Sequence, residues 1–321
     1  MGEEMQGIEG DTGWRKAIPE ARDRLQSRVL VAVVGGILAL ESLSALWGMN
    51  WDYLSFRRLN VEFLTISIVF ALIVLGLRAA TPAAATIGGM ICLLVLRGTS
   101  SLDYSVVRSG LLPLLLLFVL TFLSTRAGRR IKAKAGLAEK RKGRNAAQVI
   151  ANLAVAALSV DDFVFLLLNG GTANIAGNYA HLWIIPVMKL MCLGALVEAT
   201  ADTVSSEIGQ AFGGRPRMLL GFRQIEPGTD GAVTLMGTAA GVLGGAIVAA
   251  AGMWGLGLSF IQAAITFGAG VCGLFFDSLL GATVERKGWI GNDLVNFTST
   301  LFAAAVAALF YRMVVFTRWN L

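Results

Sequence analysis

Glu198, Asp202 and Ser205/Ser206 fall at i, i+4 and i+7/i+8, a spacing that puts carboxylates and hydroxyls on one face of a helix. They open a polar stretch, Glu198–Gly231, that reads EATADTVSSEIGQAFGGRPRMLLGFRQIEPGTDG. A second polar stretch, Asp277–Asn296, reads DSLLGATVERKGWIGNDLVN. Carboxylate and hydroxyl oxygens are hard ligands, suited to Mg²⁺ rather than zinc. Asp277 and Asp293 are placed to complete a metal site with Asp202. Glu207, about 140° round the helix from Asp202, adds another acid. The plain alternative is a solvated helix end, but it leaves so many acids beside an apolar span unexplained.

Cations and backbone amides follow. Arg215, Arg217 and Arg223 are spaced by Gly213-Gly214 and closed by Pro227-Gly228-Thr229-Asp230-Gly231. Arginine forks onto phosphate oxygens, and glycines let backbone N–H groups approach an anion. The PGTDG run directly precedes a Gly-rich apolar segment, where a helix N-terminus would present N–H groups. An ordinary turn among topology-setting arginines is the competing reading. Ser278 adjoins Asp277, and Asn292 and Asn296 stand at i, i+4. Asn292 or Asp293 equally suits a helix cap. Asn145, Gln148 and Asn152, at i, i+3 and i+7, form a polar stripe that belongs inside a helical bundle, as ligands or as interhelical glue.

The elements that must position these groups are membrane helices. Of 321 residues, 55% are hydrophobic and 15% charged, against about 25% charged in soluble domains. Apolar runs at about 29–47, 63–79, 82–97, 109–125, 147–168, 180–200, 232–252, 257–276 and 297–316 predict about nine transmembrane helices in one all-α polytopic bundle. Thr81-Pro82 marks a tight turn between the second and third. Residues 1–27 read as a cytosolic polar tail, disordered in part or a surface helix around Ile18–Leu25, ahead of a membrane domain over 28–321. Arg126 to Arg144 holds nine Lys/Arg and one acid, Glu139, which assigns that loop to the cytosol. Counting from it puts the N-terminus inside, and loops 126–146, 201–231 and 277–296 on one cytosolic face.

The net charge of +6 reads as positive-inside bias, not nucleic-acid binding. Cys92, Cys192 and Cys272 lie in apolar runs with no disulfide or zinc pattern. His181 falls on the outer side, away from the cluster. Asp161, Asp162 and Lys189 read as a charge pair in the bundle or at the outer interface. Gly237-xxx-Gly241-xxx-Gly245 reads as helix packing, with a lipid-tail groove as the sharper alternative. In a bacterium, such a protein would sit in the plasma membrane.

Several motifs recur in one order: Gly143-Arg144-Asn145 through Asn152, Asp202-Thr203-Val204-Ser205-Ser206-Glu207, Pro227-Gly228-Thr229-Asp230-Gly231, Asp277-Ser278-Leu279-Leu280-Gly281 and Asn292-Asp293-Leu294-Val295-Asn296. Their order and spacing over residues 25–316 resemble the integral-membrane family of transmembrane protein 19 and the plant and cyanobacterial phytyl-phosphate kinases. The resemblance implies a helical membrane enzyme that transfers a phosphoryl group from a nucleoside triphosphate, CTP or another, to an isoprenoid lipid phosphate. Many members have no known activity. Ala201 and Val204 depart from the family pattern beside the DT pair, as do Asp230 and Asp293, where Asn is usual, and Arg223, where Lys is usual.

On this reading Asp202, Glu207 and Asp277 are the catalytic acids, with Mg²⁺ on Asp202, Asp277 and Asp293. Asn145, Gln148, Asn152, Ser205, Ser206, Arg217, Arg223, Thr229, Ser278, Asn292 and Asn296 would bind phosphate and substrate. A phosphate nucleophile is already ionised near neutral pH and needs no strong base, consistent with a site without histidine. The rivals are a CTP-dependent lipid-phosphate nucleotidyltransferase, a transporter, and a non-catalytic lipid-binding protein. A transporter would place polar groups at mid-membrane depth and show paired repeats.

Overall fold

The computed structural model describes residues 18–47, 54–100, 106–137, 143–168 and 180–319. The first seventeen residues of the expected tail, and residues 138–142 of the basic loop, lie outside them, as does the side chain of His181. The helices in chain order are α1 Glu20–Trp47, α2 Leu54–Gly76, α3 Pro82–Thr99, α4 Leu111–Arg126, α5 Arg129–Lys134, α6 Ala146–Leu158, α7 Asp162–Leu168, α8 Ala180–Phe212, α9 Leu235–Gly255, α10 Phe260–Glu285 and α11 Asn292–Trp319. A two-residue hairpin, β1 Arg217–Met218 with β2 Ala232–Val233, is the sheet found among the described residues.

Six described helices are long and apolar enough to cross a membrane: α1, α3, α8 from Ile184, α9, α10, and α11 to Val315. The α6–α7 pair, bent by 54°, would make a seventh span. Asn60–Gly76 and Leu111–Arg126 are apolar but shorter. The chain is therefore an integral membrane helical protein in which every expected apolar run meets a helix; among the described residues, length and composition qualify six to seven of these helices as spans, short of the nine expected.

Helix α8 is the axis of the bundle. It packs against α4, α6, α9, α10 and α11. Residues 192–201 are buried without a break, as expected of a helix surrounded by others rather than facing lipid on one side. Small residues allow this crowding. Gly194 lies against Ala303 and Ala307 of α11, and Gly270 against Val197.

Local chemistry sets the helix starts. Thr81 caps α3 by accepting from Ala84 N at 3.4 Å, with Pro82 at the first helical position. Thr234 caps α9 through Gly237 N at 3.0 Å, and a Ser259–Gln262 capping box opens α10.

All three expected loops prove partly helical, 126–146 holding α5. The 201–231 stretch stays in α8 to Phe212, and the 277–296 stretch continues α10 through a π-helical turn at Gly281–Glu285. Each polar stretch therefore begins on a rigid helix. Likewise α1 starts at Glu20 rather than near residue 29. Its first turns are tied to the loop before α11: Arg22 Nη1 donates to the Gly288 carbonyl at 2.8 Å, and Gln26 Nε2 to that of Trp289 at 2.8 Å. Gln26 Oε1 accepts from Gly291 N at 2.8 Å. At the other end of α3, Arg97 pairs with Asp162 at 3.1 Å, while Lys189 points at the Leu256 carbonyl, so the expected Asp–Lys pair does not form.

Candidate functional site

The C-terminal turns of α8 line one wall of a polar pocket of about 370 Å³. Asp202, Ser205 and Ser206 face it, as their spacing predicts, joined by Thr203 and Gln210. Asp277 and Ser278 come from α10, Asn292 and Asn296 from α11, and Gln148 and Asn152 from α6. Pro227 through Gly231 closes one side with Thr229 and Asp230, and Leu137 closes another. Residues as far apart in sequence as Leu137 and Asn296 thus meet because six segments converge at one end of the bundle.

Two glycines fix the loops at the rim. Gly231 has φ +73°, and a side chain there would stand 2.6 Å from Ala282 Cα, so the PGTDG loop rests directly on the π-helical turn of α10. Gly143 has φ +73°, and a Cβ would stand 2.7 Å from Ala80 N. That contact lets Arg144 pair with the α2–α3 turn: Thr81 N donates to the Arg144 carbonyl at 3.0 Å, and Arg144 N to that of Ala79 at 2.9 Å. The Arg144 side chain lines the pocket and is the cation acting on Asp202.

A polar relay crosses the floor. Ser299 Oγ donates to Asp277 Oδ2 at 3.1 Å. With its amide oriented to satisfy both ends, Asn296 donates to Asp277 Oδ2 at 3.3 Å and accepts from Asn152 Nδ2 at 3.3 Å. This ties α6, α10 and α11 together. Asp277 lies within Coulombic range of Asp202, Glu198 and Glu285. Glu198 is 1% exposed, beneath the pocket against Gly273. Its Oε1 and Asn152 Oδ1 are buried without hydrogen-bond partners. Buried acceptors of this kind call for a donor or a cation.

Other predicted residues are placed elsewhere. Asp293 is not in the pocket; its Oδ2 accepts from Ser27 Oγ of α1 at 2.6 Å. Asn292 and Asn296 share a face at i, i+4, and Asp293 lies about 100° away from it. Arg217 and Arg223 are exposed on the hairpin segment and outside the pocket lining. Asn145 forms a capping box with Gln148, holding the start of α6 rather than lining the cavity. Glu207 reaches the rim but is engaged: its Oε2 pairs with Lys132 Nζ at 2.5 Å and its Oε1 accepts from Thr125 at 3.1 Å.

Lys132, 1% exposed, also donates to the carbonyls of Ser124 and Thr125. Sequence reasoning missed Lys132 and Arg144 as individuals, because both sit in a run of cations that topology alone accounts for. The tight Gly143 beside Arg144 was the available signal.

Among the described residues, no three His, Cys, Asp or Glu side chains converge as a metal cage. Asp202 and Asp277 share the pocket with Asp230, Glu285, hydroxyls and amide oxygens. Mg²⁺ is commonly held by one or two carboxylates with the remaining ligands from water and substrate phosphates, and oxygen donors of this kind fit that pattern.

A second, apolar cavity of about 70 Å³ adjoins the first. Arg144, Asn152 and Thr203 line both.

Residues 65–304 match the family described as "Integral membrane protein DUF92". Among curated proteins, the chain is 40% identical over 119 residues to "Uncharacterized membrane protein MJ0933" of Methanocaldococcus jannaschii, covering 37% of this chain and 50% of that one. It is 29% identical over 209 residues to "Protein VTE6, chloroplastic" of Arabidopsis thaliana, covering 64% and 60%. "Uncharacterized membrane protein sll0875" of Synechocystis is 31% identical over 201 residues, covering 62% and 72%. The chain thus spans half to three-fifths of the length of the first two relatives. No solved structure matches.

Proposed function

For a chain that belongs to the DUF92 family of integral membrane proteins, we propose the role of a membrane-embedded kinase that transfers a phosphoryl group from a nucleoside triphosphate to an isoprenoid lipid monophosphate. The observation that carries this reading is one pocket joining Asp202 and Asp277, Arg144, and the backbone of the PGTDG loop at the end of a membrane bundle. The resemblance to phytyl-phosphate kinases and the similarity to plant and cyanobacterial relatives support it.

Phosphoryl transfer needs positioning and charge neutralisation more than covalent chemistry. The lipid monophosphate is mostly dianionic near neutral pH, since its second pKa is about 6. It attacks the terminal phosphorus without prior deprotonation. Arg144 offers a fork to phosphate oxygens, and Ser205, Ser206, Thr229 and Ser278 offer hydroxyl donors. Asn152, Asn296 and Ser299 hold Asp277 in orientation. Asp202 and Asp277 would hold Mg²⁺, whose charge would neutralise the phosphates during transfer. Glu207 orients the rim through Lys132 rather than binding the ion. Arg144 replaces Arg217 and Arg223 as the phosphate contact.

The test is turnover by purified protein in detergent with Mg²⁺, prenyl monophosphates of several lengths, and ATP, CTP, GTP or UTP in turn. Lipid diphosphate plus nucleoside diphosphate, lost in Asp202→Asn and Asp277→Asn, is the expected result. Nucleotidyl lipid plus pyrophosphate, or no turnover of any pair by folded protein, overturns it.

A further inference from the structure

We propose that the apolar cavity enclosed by α2, α3, α4, α6 and α8 holds the phosphate-proximal carbons of the lipid substrate, with Arg144 at the junction gripping its phosphate. This inference rests on the kinase reading and locates the substrate within it.

Three observations carry it. First, the cavity is continuous in lining with the polar pocket, because Arg144, Asn152 and Thr203 belong to both. A molecule with an anionic head and a hydrocarbon tail matches that change of character at that point. Second, the rest of the wall is almost entirely apolar, including Phe70, Val74, Leu114, Leu117 and Leu153. Cavities lined this way stay dry and accept hydrocarbon. Third, small residues keep it open. Gly88 of α3 lines the cavity, and a Cβ there would meet only Phe70 Cε1, at 3.7 Å.

The volume, about 70 Å³, holds the first few carbons and not a whole diterpenoid tail. The remainder must leave the bundle. The backbones of α2 and α4 approach each other at few points, and Phe70 meets Phe118 edge to face across the gap, with ring centroids 5.6 Å apart. This aromatic pair marks the side exit to the bilayer. The Gly237/Gly241/Gly245 stripe is excluded as a tail groove, because it is packed against α8. Gly237 lies against Gly209, Gly241 against Ser205, and Gly245 against Val197.

The experiment has two arms. In the first, wild-type protein is photolabelled with a prenyl monophosphate bearing a diazirine near the phosphate end, and the labelled peptides are mapped. Label on α2, α3 and α4 around Phe70, Gly88 and Leu117, competed by unlabelled prenyl phosphate, is expected. Label confined to α9 and α10, or none that competes, overturns the assignment even if the enzyme turns over.

In the second arm, Gly88→Leu, checked by a wild-type-like thermal unfolding curve, should raise KM for prenyl phosphate about ten-fold or more, the scale of losing apolar pocket contacts, with KM for the nucleotide unchanged. An unchanged lipid KM in both Gly88→Leu and Ala84→Leu overturns the slot and leaves the kinase reading standing. Competable labelling of the cavity without turnover overturns the kinase reading and leaves a lipid-phosphate binding site.

Discussion

Small residues stand on two sides of helix α8, with opposite results. On the α9 side, glycines close the interface: a methyl on Gly241 would stand 2.8 Å from Ser205 Cβ, and one on Gly237 2.9 Å from Gly209 Cα. On the α6 side, Gly88, Ala84 and Ala199 line a cavity instead. The same residue types bring two backbones into contact in one place and leave space in the other. What differs is the partner. Gly241 and Gly245 face a helix that can close onto them, whereas Gly88 faces Phe70, whose ring stands off at 3.7 Å. The closed side fixes α8, and with it Asp202; the open side leaves room for a ligand beside that fixed group.

The comparison can be broken in order of effect. Asp202→Asn, where the two sides meet, should lower turnover by about two orders of magnitude or more, as when one charge-stabilising group is lost, with the unfolding midpoint preserved; activity within a few-fold of wild type would show that the fixed group is not the reacting one. Lys132→Ala strands Glu207 of α8 against α5 and should cost about 3–5 kcal/mol, read by denaturant unfolding in detergent, with partial recovery in Lys132→Met/Glu207→Leu. Gly241→Ala should cost about 1–3 kcal/mol, since the closed side cannot give way. Gly88→Ala should be neutral or stabilising by up to about 1 kcal/mol, because its methyl meets Phe70 at ordinary van der Waals distance and a helical glycine is removed. Equal costs for the two glycine substitutions would erase the distinction between closed and open sides.

Much of the site could be read from spacing. Asp202, Ser205 and Ser206 share a face because they sit on one helix, and Asn292 with Asn296 for the same reason. The same periodicity sends Asp293 toward Ser27 and carries Glu207 round to Thr125 and Lys132. What the sequence concealed depends on contacts between distant segments. Arg144 matters because Gly143 lets it pair with Ala79 and Thr81, more than sixty residues earlier. Arg217 and Arg223 looked equally suitable by type, but the hairpin leaves them exposed. The apolar cavity had no linear signature, because five helices each contribute one or a few ordinary side chains to it. The helical membrane class was plain from composition, whereas the shortness of Asn60–Gly76 and Leu111–Arg126 and the bend after α6 leave six to seven helices that qualify as spans among the described residues.

Helix α8 has 33 residues, about 50 Å at 1.5 Å per residue, against a hydrocarbon core of about 30 Å. That length leaves room for its polar last turns, beginning at Asp202, to lie beyond the hydrocarbon. If the proposed lipid phosphate enters past Phe70 and Phe118, it need never leave its leaflet. Its encounter with the protein would then be a search in two dimensions, governed by its mole fraction in the membrane instead of its concentration in water.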